Sequence, residues 1–256
     1  SDDPGQDGSK TLEYAANDYV ASRVALGLGH VAEAERWRKR SEGWRKIFGP
    51  DGYAQGKFYE ATNVEYSFFV PHDFAGLIGR MGGKESFARR LDGGFANNQF
   101  SIYNEPGFLV PFAYSYAGRP DRTSYWVRKY LREAFDLTYP GDEDSGAMSA
   151  WYVFGALGLF PNAGSDVYLL HGTLLQGASI RLAGNKTLKI VGRNASRENV
   201  YVQSAKLNGK PLARCWIRHG EVAAGGVLEF EMGPLPSDWA KNAPPPPSAS
   251  DGAGTL

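Results

Sequence analysis

Three consecutive acids, Asp142, Glu143 and Asp144, stand immediately before an apolar helical segment of this 256-residue chain. Asp142 and Asp144 are alternate residues, so on an extended turn both side chains point to one side, where one could act as a base and the other as its helper. The competing interpretation is that Asp144 or Ser145 caps the helix while the other acids complement its positive end. Both interpretations can hold together.

Glu60 is a second acid with a setting that could support chemistry. It follows Phe58 and Tyr59 and precedes an aromatic run that ends at Phe69. Aromatic neighbours on both sides predict a desolvated, partly protonated carboxyl group, which can donate a proton. A protonated Glu that faces an ionised Asp pair can break a glycosidic bond, with inversion if the carboxyls are roughly 6.5–9.5 Å apart. The alternative is a loop carboxylate bonded to backbone.

Asn104 and Glu105 precede Pro106, a residue favoured at the first helical position. Glu105 is therefore expected at a helix N-terminus, ionised, as a metal ligand or an acceptor for a sugar hydroxyl. Oxygen ligands from Asn104 and Glu105 suit calcium better than a transition metal. In the pair His72-Asp73, we interpret Asp73 as a helix cap.

Helical periodicity predicts the elements that position these acids. We expect helices at about 11–28, 31–48, 74–80, 84–91, 106–116, 123–135 and 147–158. Short links between paired helices, with acids and aromatics in alternate loops, predict helical hairpins around an axis with one functional rim; a plain bundle is the alternative. Beyond Pro161, alternating apolar and polar residues predict β-strands, and Asn208-Gly209 predicts a hairpin.

Composition excludes several classes of protein. Lys+Arg 28 balance Asp+Glu 28, which argues against nucleic-acid and anionic-membrane partners. A single cysteine, Cys215, excludes an internal disulfide framework and a Cys-based metal site. The sequence has no apolar run of transmembrane length, and its first residues do not form a signal peptide. The six Trp and 13% aromatic content suit sugar binding or a large aromatic core equally well.

Several motifs, in this order, resemble the C-terminal half of glycoside hydrolase family 92. They are SKTLEYAANDY, FYEA with EYSFFVPHDFAGLI, MGGKESF, NEP with PFAYSYAG, GDEDSGAMSAWYVFGALGLFP, and VYVQSAKLNGKPLARCWIRHGEV with GGVLEFEMG. The resemblance covers about residues 9 to 239. It implies a calcium-dependent, exo-acting, inverting alpha-mannosidase of mannans or N-glycans, most often alpha-1,2-specific, in a secreted or periplasmic location.

The family fold implied is an N-terminal β-sandwich, an (α/α)6 catalytic barrel and later β segments. We therefore expect an α+β chain: a partial (α/α)6 toroid of helical hairpins over 9–161, an antiparallel β-rich domain over 162–239 and a disordered tail over 240–256. Glu60 matches the family's general acid, and Asp144, assisted by Asp142, matches the base. Asn104 and Glu105 match the segment that contacts calcium and mannose, and His72 and Trp151 join Glu105 as predicted substrate contacts.

Departures from the family pattern leave alternatives open. We expect the chain to start within the barrel, without the β-sandwich, so the missing N-terminal half is a candidate partner. Gly107-Phe108 follows NEP where the family often has His-His, which leaves linkage preference open. The alternatives are a catalytically silent fragment that binds a carbohydrate or a partner, and another (α/α)6 enzyme such as a lyase or phosphorylase.

Overall fold

The computed structural model describes residues 8–135 and 138–252 and divides into two compact units. The first unit comprises residues 1–110, 163–165 and 247–256, and the second comprises 111–162 and 166–246. The chain therefore divides after Val110, whereas the sequence predicted the domain boundary after Pro161.

The first unit is helical. Its α-helices are α1 (Gly8–Gly27), α2 (Val31–Ser41), α3 (Asn63–Tyr66), α4 (Phe74–Arg80) and α5 (Lys84–Ala96), and its 3-10 helices are Glu42–Ile47, Glu105–Gly107 and Ala249–Gly252. Helix α1 packs against α2 as the predicted hairpin. The turn between them contains Gly29 in the left-handed region, which terminates α1. This hairpin agrees with the predicted pairing of helices, but the (α/α)6 toroid stays a prediction.

Two predicted helices of this region are wrong in part. The second was expected to continue to residue 48, but it ends as an α-helix at Ser41, whose hydroxyl donates to the Arg38 carbonyl at 2.6 Å and competes with the helix ladder. The helix predicted at 106–116 is replaced by the 3-10 helices Glu105–Gly107 and Val110–Ala117. Pro111 would lie inside a continuous helix there, lacking an N–H donor and clashing with the preceding turn.

The prediction for α4 is confirmed at both ends. Asp73 is its N-cap and accepts a hydrogen bond from the Gly76 N–H at 3.1 Å, as the sequence indicated. Gly82 and Gly83 both have positive φ and separate α4 from α5. Helix α5 runs to Ala96, five residues beyond its predicted end.

The second unit combines helices with two sheets. Its helices are α6 (Pro120–Glu133), α7 (Ala147–Leu157) and α8 (His219–Val222), with 3-10 helices at Asp144–Gly146 and Ala183–Asn185. Its strands are β1 (Leu159–Pro161), β2 (Val167–Leu170), β3 (Gly177–Leu182), β4 (Lys186–Arg193), β5 (Tyr201–Leu207), β6 (Lys210–Pro211), β7 (Trp216–Arg218) and β8 (Gly226–Gly233). Asn208 and Gly209, both with positive φ, join β5 to β6 in the predicted hairpin.

The strand pairing is consistent with the predicted antiparallel β segment, with one parallel pair as the exception. The small sheet, β1-β2-β7, is antiparallel throughout. The larger sheet has the order β3-β4-β8-β5-β6, and its β4–β8 pair is parallel. Strand β8 lies between β4 and β5, although β5, β6 and β7 precede it in the sequence. It runs in the same direction as β4. Hydrophobic patterning indicates strands but does not specify their neighbours.

A single apolar core explains why residues 111–162 group with the sheets. Leu157 of α7 and Leu159 of β1 belong to the same buried cluster as Ile190, Leu228 and Phe230 of the larger sheet. Helix α6 also contacts the β-rich segment: the buried Arg128 donates to the Thr173 carbonyl and to the Ser196 carbonyl, each at 2.6 Å. Burial is the main cause that lowers the pKa of Arg128, to about 10.

The segment after Trp239, which was predicted to be disordered, makes several hydrogen bonds in its described part, which ends at 252. In the second unit, the Trp239 indole N–H donates to the Leu212 carbonyl at 2.8 Å, and the Trp216 indole N–H donates to the Pro244 carbonyl at 3.0 Å. In the first unit, Ser248 and Ser250 bind Asp73. Composition predicts that a segment cannot build its own core, but it does not indicate docking on another element. Residues 253–256 lie outside the described residues.

Among the described residues, no helix combines the length and apolarity needed to cross a membrane.

Candidate active site

The loop before α7 belongs to the second unit. The residue that engages the start of α7 is Glu143: its carboxylate accepts from the Ser149 N–H at 3.1 and 3.2 Å and from the Ser149 hydroxyl. The N-cap residue of α7 is Gly146, which has no side chain that could cap the helix. The predicted cap at Asp144 or Ser145 is therefore wrong.

Because Glu143 occupies the helix start, Asp142 and Asp144 are left for another role. Both side chains are exposed, and neither accepts a hydrogen bond from the part of the chain that the structure describes. Ser145, between Asp144 and α7, has φ 53°, and Gly146 has φ 79°. A non-glycine residue in the left-handed region stores strain, which concentrates at functional sites.

Glu60 in the first unit also has a positive φ, of 63°. Seven non-glycine residues of the described part of the chain have positive φ, and four of them are Asn, which tolerates this conformation; Glu60 and Ser145 are among the other three. Two anchors flank Glu60: the Tyr59 N–H donates to the Ser9 hydroxyl at 2.7 Å, and the Thr62 N–H donates to Glu65 at 3.2 Å. The backbone at Glu60 is thus held on both sides.

The predicted aromatic enclosure of Glu60 is not found, since its side chain is exposed. The aromatic rings pack on one another instead: Phe58 lies 5.2 Å from Tyr66, and Tyr66 lies 5.8 Å from Phe69, between ring centroids. Burial is the main cause that raises the pKa of the Tyr66 phenol, and the charges of Glu13 and Glu60 raise it further. Sequence proximity to aromatics therefore did not indicate burial of the carboxylate.

Asn104 and Glu105 form the start of a 3-10 helix, as predicted. The Asn104 side-chain oxygen accepts from the Glu105 N–H at 3.2 Å, and Pro106 occupies the first turn. Both side chains are half-buried. The segment folds back closely on itself at Gly107. A Cβ at this position would lie only 1.8 Å from the Ser101 carbonyl oxygen.

Glu65 is a buried carboxylate that sequence reasoning missed. Its Oε1 accepts from the Ser101 N–H at 2.9 Å and hydroxyl at 3.1 Å, and its Oε2 accepts from the Thr62 N–H at 3.2 Å and hydroxyl at 3.4 Å. The pattern Thr62-Asn-Val-Glu65 is a capping box and could have been found in the sequence. The bonds to Ser101 could not, because they span 36 positions.

His72 and Trp151, the two other predicted substrate contacts, are both buried. His72 in the first unit bonds the Ser41 carbonyl at 3.2 Å and packs against Tyr19, and burial lowers its pKa to about 4. Trp151 in the second unit is 1% exposed and stacks on Phe135 at 5.7 Å. A sugar contact through either ring stays a prediction, and the structure describes both as core residues.

The described residues do not by themselves form a calcium site. Asn104 and Glu105 offer oxygens of the right chemical type, but calcium takes six to eight oxygen ligands. Among the described residues, no group of three or more His, Cys, Asp or Glu side chains is arranged to hold a metal.

The predicted site residues are divided between the two units. Glu60, His72, Asn104 and Glu105 lie in the first, and Asp142, Asp144 and Trp151 lie in the second. Within the first unit, Glu65 connects the segment that follows Glu60 with the segment that precedes Asn104. The separation of the Glu60 and Asp144 carboxyls stays a prediction.

Comparison with known proteins gives consistent matches. The profile of the "Glycosyl hydrolase family 92 catalytic domain" matches residues 1–58 and 50–234. An "Uncharacterized secreted glycosidase" of Arthroderma benhamiae is 35% identical over 288 residues, covering 93% of this chain and 37% of that protein.

Two solved structures from Bacteroides thetaiotaomicron also match. A family GH92 alpha-mannosidase in complex with mannoimidazole has a TM-score of 0.90 and 25% identity, covering 94% of this chain and 38% of its own. A family GH92 inverting mannosidase has a TM-score of 0.88 and 26% identity, covering 95% of this chain and 40% of its own. The chain thus spans about two fifths of the length of these relatives.

Proposed function

This chain belongs to glycosyl hydrolase family 92, and from that premise we propose that it acts in an inverting alpha-mannosidase that removes terminal, alpha-1,2-linked mannose from mannans or N-glycans. The observation that carries the proposal is the family match over residues 1–58 and 50–234, which includes Glu60, Glu105, Asp142 and Asp144. A GH92 relative bound to mannoimidazole supports a mannose-type ligand, and another named as inverting supports inversion.

In the proposed mechanism, Glu60 is the general acid. As the bond between C1 of mannose and the glycosidic oxygen breaks, the Glu60 carboxyl gives its proton to the departing oxygen. Asp144, assisted by Asp142, takes a proton from a water that attacks C1 from the opposite face. The product is then inverted at C1, as in glycosidases whose two carboxyl groups leave room for a water.

The exposure and the backbone conformation of the loops that contain Glu60 and Asp144 support these roles. Glu143 takes over the helix start, so Asp142 and Asp144 remain exposed. Glu60 and Ser145 have strained backbone conformations at or beside the proposed acid and base, and such strain costs about 1–3 kcal/mol at each residue and persists only where the surrounding structure holds it. Because Glu60 is exposed, we propose that the bound substrate covers its carboxyl group, since desolvation favours the protonated form that can donate a proton.

The calcium dependence implied by the family resemblance remains part of the proposal. Asn104 and Glu105 would supply two of the oxygen ligands, with the remainder from substrate, water or other residues. A bound calcium ion would neutralise charge beside the sugar, while Asn104 and Glu105 would orient the mannose hydroxyls.

We also propose that the helical hairpins belong to an (α/α)6 toroid and that the protein is secreted. The α1–α2 hairpin supports the first, and the printed name of the Arthroderma benhamiae relative supports the second. Detection of the protein in culture medium or periplasm, against a cytoplasmic marker, tests location.

The decisive experiment is to incubate the protein, at its natural length, with alpha-1,2-mannobiose and calcium and to follow the product by NMR. The proposal predicts that beta-mannose appears first. Initial alpha-mannose would contradict inversion, and the absence of mannose would contradict the activity. In that case, calorimetry with mannose distinguishes a silent binding protein, which binds saturably, from a protein of other function.

A further inference from the structure

Glu65 is an ionisable side chain in the first unit that the proposed mechanism does not use. It is 6% exposed and forms no ion pair with a described residue. Four donors converge on its carboxylate, two on each oxygen: the Thr62 N–H and hydroxyl, and the Ser101 N–H and hydroxyl. A buried carboxylate that is fully occupied by hydrogen bonds is restricted to one position.

The two sets of donors lie on different segments. Thr62 is the N-cap of α3 and follows Glu60 by two residues. Ser101 precedes Asn104 by three residues, on the loop that leads into the Glu105–Gly107 turn. Gly107 allows this loop to fold back, since its Cβ position would be 1.8 Å from the Ser101 carbonyl oxygen and 3.5 Å from Glu65 Oε1. A single side chain thus fixes both segments.

We propose that Glu65 is a positioning residue that sets Glu60 relative to the Asn104–Glu105 segment, an inference that rests on the proposed function. Glu60 has a strained φ, which persists only where its neighbours hold the backbone. The Thr62 N–H bond to Glu65 supplies one of the two anchors of that strain, and the Tyr59 N–H bond to Ser9 supplies the other. Glu65 does not touch the substrate.

Replacement of the carboxylate by an amide tests this role with little change in shape. In Glu65→Gln one oxygen becomes an NH2 group, which cannot accept from a backbone N–H, although the facing hydroxyl can rotate and accept from it. Either the Ser101 N–H bond or the Thr62 N–H bond is then lost. Because small displacements of a catalytic group can cost about 100-fold in rate, kcat/KM for alpha-1,2-mannobiose should fall by about that factor.

The comparison of two substrates separates positioning from stability. An aryl alpha-mannoside with a good leaving group needs little protonation, so its kcat/KM should fall at least about tenfold less than that of mannobiose in Glu65→Gln. Ser101→Ala, which removes one hydroxyl donor but keeps the N–H, should show the same split more weakly. Glu85→Gln, at a side chain 95% exposed, is the matched control and should leave both substrates unaffected.

Equal losses on both substrates, or no loss in a folded variant, would overturn the proposal. Amide hydrogen exchange provides a second readout that does not depend on activity. In Glu65→Gln, exchange at Ser101 or Thr62 should accelerate while α1 keeps its protection, and unchanged exchange at both would refute the connection. If the wild-type protein releases no mannose, the proposed function fails, and the exchange result alone decides whether Glu65 holds the two segments.

Discussion

Asp73 is predicted to be the largest single polar contributor to the stability of the first unit. Its side chain is 3% exposed and accepts five hydrogen bonds. Oδ1 accepts from the Gly76 N–H (3.1 Å), the Ser250 N–H (3.0 Å) and the Ser248 hydroxyl (3.3 Å), and Oδ2 accepts from Arg45 (2.8 Å) and the Ser250 hydroxyl (2.8 Å). The residue joins the start of α4, the 3-10 helix after α2, and the end of the chain.

The variant Asp73→Asn keeps the shape and the helix cap but replaces Oδ2 with a donor. Breaking a buried ion pair costs about 3–5 kcal/mol, but the Arg45 side chain is 40% exposed and regains water, so we discount the loss to about 2–3 kcal/mol. Asp73→Ala also removes the cap, which adds about 1 kcal/mol. A loss of about 3 kcal/mol lowers the Tm by several degrees, and by fewer degrees the longer the chain.

Thermal and urea unfolding of the natural-length protein, followed by circular dichroism, measure these losses. Asp238→Asn is the control, because its ion pair with Lys241 is exposed and should contribute less than about 0.5 kcal/mol. Truncation after Pro246 removes both serines and should destabilise the wild type more than it destabilises Asp73→Ala. Additive effects of truncation and Asp73→Ala, or a change in Asp73→Asn within about 0.5 kcal/mol of wild type, would refute the reasoning.

Four further predictions follow from the site and from the buried groups. Asp144→Asn should abolish turnover while sugar binding by calorimetry persists, because an amide cannot accept a proton from water; lost binding would contradict the base role. Glu60→Gln should reduce hydrolysis of mannobiose far more than that of activated aryl mannosides, and equal losses would reassign the acid. Chelation of calcium with EGTA should suppress mannose release, and added calcium should restore it; full activity in the chelator would exclude calcium dependence. Burial lowers the pKa of His72 to about 4, below its ordinary value of 6.5, so between these pH values the unfolded state binds a proton that the folded state does not. The Tm should therefore fall as the pH decreases from 6.5 towards 4. A His72→Asn variant should show a shallower fall, and an identical slope would contradict this assignment.

Local sequence patterns were sufficient for several elements. The bounds of α4, its cap Asp73, the Asn208-Gly209 hairpin and the position of Glu105 at a helix start depend on residues within four positions of one another. Hydrophobic period, caps and turn residues encode such features directly. The ordered motifs also identified the family, because each is a short stretch of chain.

The candidate site was predicted only in part. Its acids were proposed from residue type and loop position and stay a prediction, and the exposure and hydrogen bonding of each depend on neighbours that a pattern does not reveal. Glu60 is exposed although aromatics flank it in sequence, because Phe58, Tyr66 and Phe69 pack on one another. Glu143, which the sequence offered only as one of the acids that complement the helix, bonds Ser149 at the start of α7, while Asp142 and Asp144 are exposed.

Tertiary structure decided the features that depend on distant pairs. The bond between Glu65 and Ser101 spans 36 positions, the bonds between Asp73 and the two serines span 175 and 177, and the parallel β4–β8 pairing joins strands separated by three others in the chain. Each of these residues satisfies its local pattern equally well with or without its partner. The free-energy cost of burying a carboxylate or ordering a strand is offset only by contact with a partner that is distant in the sequence. The sequence therefore determined the elements and the chemistry of the acids, and the folded chain determined which of them are held together.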